Sequence, residues 1–209
     1  MLHDQCKTCR RLGQKLFLKG DRCFSQKCAM IKRAYVSGPQ KKRKKGTHSE
    51  YKKSLEEKQT LKNWYGLSEK QFKKYVKDAL GKIGKAENVA EELIKKLEKR
   101  LDNVIFRLGF ANSRAQARQL VSHSYFLING KSINIPSYSV KKGDVISIKE
   151  AKKKKLVLKD ISVQLKKKEA PLWLKLNKEK LEGETIGEPN LEEVSPPAEI
   201  SLVFEFYSR

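Results

Sequence analysis

The chain has 209 residues, enough for one large or two small domains, and its 47 Lys and Arg against 24 Asp and Glu leave a formal net charge of +23. Such an excess destabilises a compact state by self-repulsion unless a polyanion neutralises it, so RNA, DNA or an anionic membrane surface is the expected partner. No apolar run approaches the length that spans a bilayer, and Met1 to Gln14 is too polar for a secretion signal, so a place in the cytosol or inside an organelle is expected.

All four cysteines lie near the start: Cys6, Cys9, Cys23 and Cys28. Two close pairs across a short loop match the spacing of a four-thiolate zinc site, each pair gripping one edge of a tetrahedron. The metal (Zn2+) would be structural, because four protein ligands leave no open position. A disulfide pairing, an iron–sulfur cluster or four unrelated buried thiols are the alternatives; disulfides are rare in the cytosol. Such a knuckle would present Arg10, Arg11, Lys15, Lys19, Arg22, Lys27, Lys32 and Arg33 to phosphate with little core of its own beyond Leu12, Leu16, Phe17, Leu18 and Phe24. Ser37-Gly38-Pro39 breaks the chain. The basic run Lys41, Lys42, Arg43, Lys44 and Lys45 is read as a phosphate contact that orders on binding, with a solvated loop as the alternative.

From Ser49 to Tyr65 the pattern is helical and basic. Tyr51, Leu55, Leu61 and Trp64 are its apolar anchors, and Lys58 and Lys62 are among its candidate RNA contacts. Trp64 and Tyr65 read as core more readily than as base-stacking rings. Ser68 and Gln71 form a capping box, and Leu67 with Phe72 has staple spacing, so a helix starts there. Phe72, Val76, Ala79 and Leu80 form its buried side, with Lys73 on the other. A third helix follows, with Val89, Ala90, Leu93, Ile94 and Leu97 inward.

The stretch Arg100 to Lys131 reads as two short helices and a hairpin. Leu101, Val104, Ile105 and Leu108 form a helical stripe, and Gly109 stands where a helix stops in a left-handed residue. Ser113 and Gln116 cap the second helix, whose buried side is Ala115, Leu120 and Val121. Arg114 and Arg118 share a face with no acidic partner within that helix, which leaves two guanidinium groups for an anion. Gln119, His123, Asn129 and Lys131 lie beside them. Asn129-Gly130 signals a tight hairpin turn. Residues 133–139 continue extended to an edge or bend at Pro136. Gly143-Asp144 turns into a strand over Val145–Lys149. Leu156, Leu158, Ile161, Trp173, Leu174 and Leu176 are further strand material. Glu182 to Pro197 reads as an acidic connector, in which no basic residue would reach phosphate. Ala198 to Tyr207 reads as a buried, strand-like tail.

Ser113-Arg114, Gln116 to Val121, His123 and Asn129-Gly130-Lys131 resemble the core motif of the RNA-binding domain named after bacterial ribosomal protein S4. Further blocks resemble that small-subunit family itself: Lys15 to Gly20, Glu57-Lys58-Gln59, Tyr65-Gly66, Gln71-Phe72, Asn134 to Tyr138, and the ending Phe206-Tyr207-Ser208-Arg209. The resemblance covers nearly the whole chain. It implies an α+β protein with a zinc knuckle and basic loop (1–45), a helical domain (46–97, completed by 181–209) and an inserted small RNA-binding module (98–180), two helices on a small antiparallel sheet. It also implies a small-subunit protein that binds the five-prime domain of rRNA early in assembly. Proteins three and five would be its neighbours, and messenger RNA (mRNA) would pass beside it as it enters the ribosome. Ser124 departs from the family, standing where glycine is frequent.

Arg100-Leu101-Asp102 matches part of the catalytic motif of pseudouridine synthases, some of which carry the same module. Asp102 sits at a helix start, however, where a carboxylate is favourable without catalysis. The large catalytic domain is missing, and no His has a nucleophile–base partner at recognisable spacing. No enzyme is expected. A non-ribosomal regulator or quality-control factor using the same module is the remaining alternative.

Overall fold

The computed structural model describes residues 5–36, 38, 49–82, 84, 88–153, 155, 165 and 169–208. The basic run Lys41 to Lys45 and the strand material at Leu156, Leu158 and Ile161 lie outside the described residues. The chain divides into two compact units, Met1–Ala90 with Ser195–Arg209, and Glu91–Val194. It is an α+β protein.

The first unit is helical. Its N-terminal part holds α1 (Gln5–Leu12) and two single-turn helices, α2 (Asp21–Phe24) and α3 (Ala29–Lys32). Then come α4 (Glu50–Trp64) and α5 (Glu69–Leu80). The Ser68 hydroxyl accepts from the Gln71 backbone N–H at 3.3 Å, as its spacing predicts, satisfying one of the donors a helix start leaves open. Leu67, Phe72, Val76 and Ala79 are buried. In α4 the buried side is Ser54, Lys58, Thr60 and Leu61, while the expected anchor Tyr51 is half exposed.

The end of the chain corrects the expectation of a strand. Residues Ile200–Ser208 form an α-helix (here α11) that packs on α4 and α5. Its Phe206 ring meets Tyr51 at 5.7 Å between centroids, and Tyr207 meets Phe72 at 6.2 Å. A run this rich in aromatic and β-branched residues favours strand locally; packing against two helices overrides that preference.

In the second unit, α6 (Val89–Glu98), which starts in the first, leads to α7 (Leu101–Leu108) and α8 (Arg114–Ser122). Gly109 ends α7 at φ 91°, and Ser113 accepts from the Gln116 N–H at 3.2 Å to start α8. The inward residues of α8 are Ala117, Leu120 and Val121, so Ala117 takes the place expected of Ala115. The sheet is antiparallel throughout, in the order β2-β1-β3-β5-β4: β1 Phe126–Ile128, β2 Lys131–Ser132, β3 Val145–Ile148, β4 Leu174–Asn177 and β5 Glu182–Thr185. Asn129 and Gly130 make the β1–β2 turn with φ 48° and 79°, the left-handed pair such a turn requires. Short helices α9 (Glu150–Lys153) and α10 (Leu191–Val194) complete the unit. Leu101, Ile105, Leu108, Phe110, Leu120, Phe126, Ile146 and Trp173 belong to one core between helices and sheet.

The acidic stretch from Glu182 is thus no mere connector. It supplies β5, hydrogen-bonded between β3 and β4, and α10. Residues 182–194 consequently fold with the sheet and not with the helical unit. Gly183 explains why the strand is hard to see: a Cβ there would meet both methyl groups of Leu108 on α7, so any side chain would force Leu108 to shift.

Candidate nucleic-acid interface

The candidate surface of the second unit is built from the ends of α6, α7 and α8. Glu98, Arg100, Asp102 and Asn103 are buried polar residues there, and buried charges must be paired to be tolerated. Arg107 grips Glu98 with two parallel hydrogen bonds of 2.9 Å. Asn103 donates to Glu98 at 2.6 Å and accepts from Arg114 Nε at 2.8 Å. Arg100 binds Asp102 with Nε at 3.1 Å and Nη2 at 2.8 Å. Arg118 reaches the same carboxylate at 2.9 and 2.7 Å.

This network corrects the picture of two idle guanidinium groups. Arg114 and Arg118 are half-buried, and their anionic or polar partners come from α7, not from their own helix. The Arg114 guanidinium also lies over the Phe106 ring, 4.6 Å from its centroid. Arg100, Arg107, Arg114 and Arg118 gather around Glu98, Asp102 and Asn103, and hydrogen bonds hold their planar groups in place. Preorganised arginines of this kind lose little side-chain freedom when they meet phosphate. Asp102 is a structural carboxylate clamped by two arginines.

Gln119, His123 and Lys131 are exposed beside this cluster's helix and hairpin. Asn129 is occupied: its amide donates to Asp144 Oδ1 at 2.9 Å, and its carbonyl oxygen accepts from the Val145 N–H at 2.9 Å. It closes the hairpin against the next strand, which is a folding role.

In the helical unit, Lys58 is corrected as an RNA contact. Its side chain is 5% exposed, its ammonium binds Glu69 at 2.9 Å and lies 4.5 Å from the Phe206 ring centroid. Lys62 binds the other Glu69 oxygen at 3.0 Å, and the Tyr207 hydroxyl donates to Glu69 at 2.7 Å. Burial alone would raise the Glu69 carboxyl, but hydrogen bonds from Lys58, Tyr207 and Lys62 outweigh it and hold it at about 2. Burial, then the Glu69 hydrogen bond and charge, push the Tyr207 hydroxyl far above the usual phenol range. Lys73 remains exposed on α5, and Tyr65 is buried, so it is core and not a stacking ring.

Near the N-terminus, Arg10 donates from Nε to the Tyr35 carbonyl at 2.7 Å, while Arg11 is exposed. Cys6, Cys9, Cys23 and Cys28 are free thiols that line one cavity together with Leu18, Ala29 and Met30. Burial pushes the Cys9 thiol up; the Leu16 backbone N–H opposes this, and Cys23, Cys6 and Cys28 add to it. The Cys23 sulfur accepts from the Lys19 N–H at 3.3 Å. The donor chemistry suits a soft metal, yet among the described residues no three His, Cys, Asp or Glu side chains form a group that could hold one.

Sequence comparison accounts for both units. Residues 1–98 match the model of the ribosomal protein S4/S9 N-terminal domain, and residues 99–146 match that of the S4 domain. The chain belongs to the ribosomal protein S4 family. Small ribosomal subunit protein uS4 of Caldicellulosiruptor saccharolyticus is 47% identical over 204 residues, covering 98% of this chain and 96% of the relative. The uS4 proteins of Thermodesulfovibrio yellowstonii and Thermotoga petrophila are 44% and 43% identical at the same coverage of both chains. The family consists of structural proteins of the small ribosomal subunit and not of enzymes, so the resemblance of Arg100-Leu101-Asp102 to a synthase motif carries no catalysis. The S4 domain places the arginine cluster within an RNA-binding module.

No helix among the described residues is long and apolar enough to cross a membrane. The buried partners of α8 were missed from sequence because α6, α7 and α8 meet only through the tertiary fold. The one available signal was the density of polar residues, Glu98, Asp102 and Asn103, around an otherwise apolar helix.

Proposed function

We propose that this protein binds the five-prime domain of small-subunit rRNA directly and early, holding a junction of RNA helices while the particle assembles in the cytoplasm. The observation that carries this reading is the arginine cluster, in which hydrogen bonds to Glu98, Asp102 and Asn103 hold four guanidinium groups in place on an RNA-binding module. A-form RNA hides its base edges in a deep, narrow groove, so a fixed cationic surface reads backbone shape. Arg114, Arg118, Gln119, His123 and Lys131 are the contacts in this unit; Arg10, Arg11, Lys41 to Lys45 and Lys73 are those of the N-terminal part. Proteins three and five are the neighbouring subunit proteins, and mRNA passes nearby on its way in. Filter binding to a small-subunit rRNA transcript tests the reading. Affinity should fall with salt at a slope of roughly 0.7 to 0.9 per phosphate neutralised. A flat salt response, or absence from small subunits on co-sedimentation, would overturn it.

Cys6, Cys9, Cys23 and Cys28 are the proposed ligands of a structural zinc ion. Their spacing and the one cavity they all line support this. Loading would draw the four sulfurs together, in keeping with the coupling of metal binding to folding in small metal sites. Metal analysis of the purified chain, followed by a chelator challenge, should find one zinc per chain and loosening of the N-terminal segment on its removal.

A further inference from the structure

Two aromatic rings expected in the small N-terminal core are instead at the surface. Phe17 is 42% exposed and Phe24 73% exposed, and the rings stack with centroids 4.9 Å apart and planes 27° from parallel. Phe17 holds φ at 53°, a left-handed conformation that a bulky residue rarely adopts. The Lys15 ammonium lies 5.1 Å from the Phe17 ring centroid. Phe17 is thus flanked by Phe24 and Lys15, whereas Phe24 is the more open of the two rings. Lys19, Arg22 and Lys27 are exposed within a few residues, and Asp21 is the single acidic neighbour among the described residues of this segment.

Exposed apolar surface framed by cations is poorly suited to an apolar protein partner and well suited to a nucleotide, whose base is flat and whose phosphate is anionic. We infer that the open face of Phe24, backed by Phe17, is a stacking platform for one unpaired base of RNA, with Lys19, Arg22 and Lys27 meeting the flanking phosphates. The inference rests on the RNA-binding reading above and adds a base contact to a surface otherwise described by phosphate contacts alone. A ring stacks on any base, so the platform selects an unstacked nucleotide by its availability and not by its identity.

The test uses the full chain and a small-subunit rRNA transcript. Phe24→Ala should weaken binding about tenfold or more, with the slope of affinity against salt unchanged, because no phosphate contact is removed. Phe24→Trp should retain or tighten binding. The thermal melt of both variants should match that of the parent, since the ring is not in the core. Parent-like affinity of Phe24→Ala, or a loss that Phe24→Trp fails to restore, overturns the platform while leaving the RNA-binding reading standing. Failure of the parent chain to bind the transcript overturns both.

Discussion

Arg118 donates from Nε and Nη2 to one oxygen of Asp102, at 2.9 and 2.7 Å, and so ties α8 to the start of α7. Asp102 is buried and also holds Arg100, so the pair is a fold contact that fixes the Arg118 side chain, a proposed RNA contact. Removing the carboxylate with Asp102→Ala leaves Arg100 buried without its anion. The expected loss is about 3–5 kcal/mol of stability, measured by urea denaturation at neutral pH.

The same relationship decides which variants report on RNA cleanly. Arg118→Glu would set one carboxylate against another and perturb the fold, so it does not isolate RNA contact. Lys131→Glu combined with His123→Ala changes only exposed side chains. Filter binding to the rRNA transcript should weaken while the urea midpoint stays unchanged.

Glu69 makes the helical unit acid-sensitive. Its carboxyl is held at about 2 in the folded chain against an ordinary 4.5, so its contribution is complete above pH 4.5 and is lost as pH falls toward 2. The side chain is 46% exposed, and screening limits the effect to about 1 kcal/mol. Tyr207→Phe keeps the ring and removes one donor to Glu69. Stability measured between pH 5 and 2 (roughly the span of this titration) should fall less steeply in that variant than in the parent.

Ser124 follows α8 at φ 56°. Its N–H bonds the Val121 carbonyl at 2.8 Å, and the Tyr125 N–H bonds Leu120 at 3.2 Å, the paired bonds of a helix end that favours glycine. Ser124→Gly relieves the left-handed strain and should stabilise the chain by about 1 kcal/mol, seen as a raised melting temperature.

Gly183→Ala should do the opposite. The new methyl group meets the side chain of Leu108, itself buried in the core, so Leu108 must shift within packed surroundings. Overpacking of this kind costs about 1–3 kcal/mol, and denaturant titration of the full chain should show the loss.

Local physics determined much of this protein from its sequence alone. The capping serines at 68 and 113, the left-handed stop at Gly109 and the Asn129-Gly130 turn each depend on hydrogen bonds within a few residues, so their spelling is legible without a fold. The positive charge and the family motif likewise name the kind of partner. Tertiary structure decided the rest, because those choices depend on residues far apart in the chain. Gly183 reads as a break until Leu108 occupies the space above it. The aromatic tail becomes a helix because α4 and α5 offer it a surface. Lys58 is buried because Glu69 and Phe206 meet it there, and Arg118 acquires its carboxylate from another helix. Charge and hydrogen-bonding capacity are written in the residue; which partner satisfies them is settled only when distant segments pack.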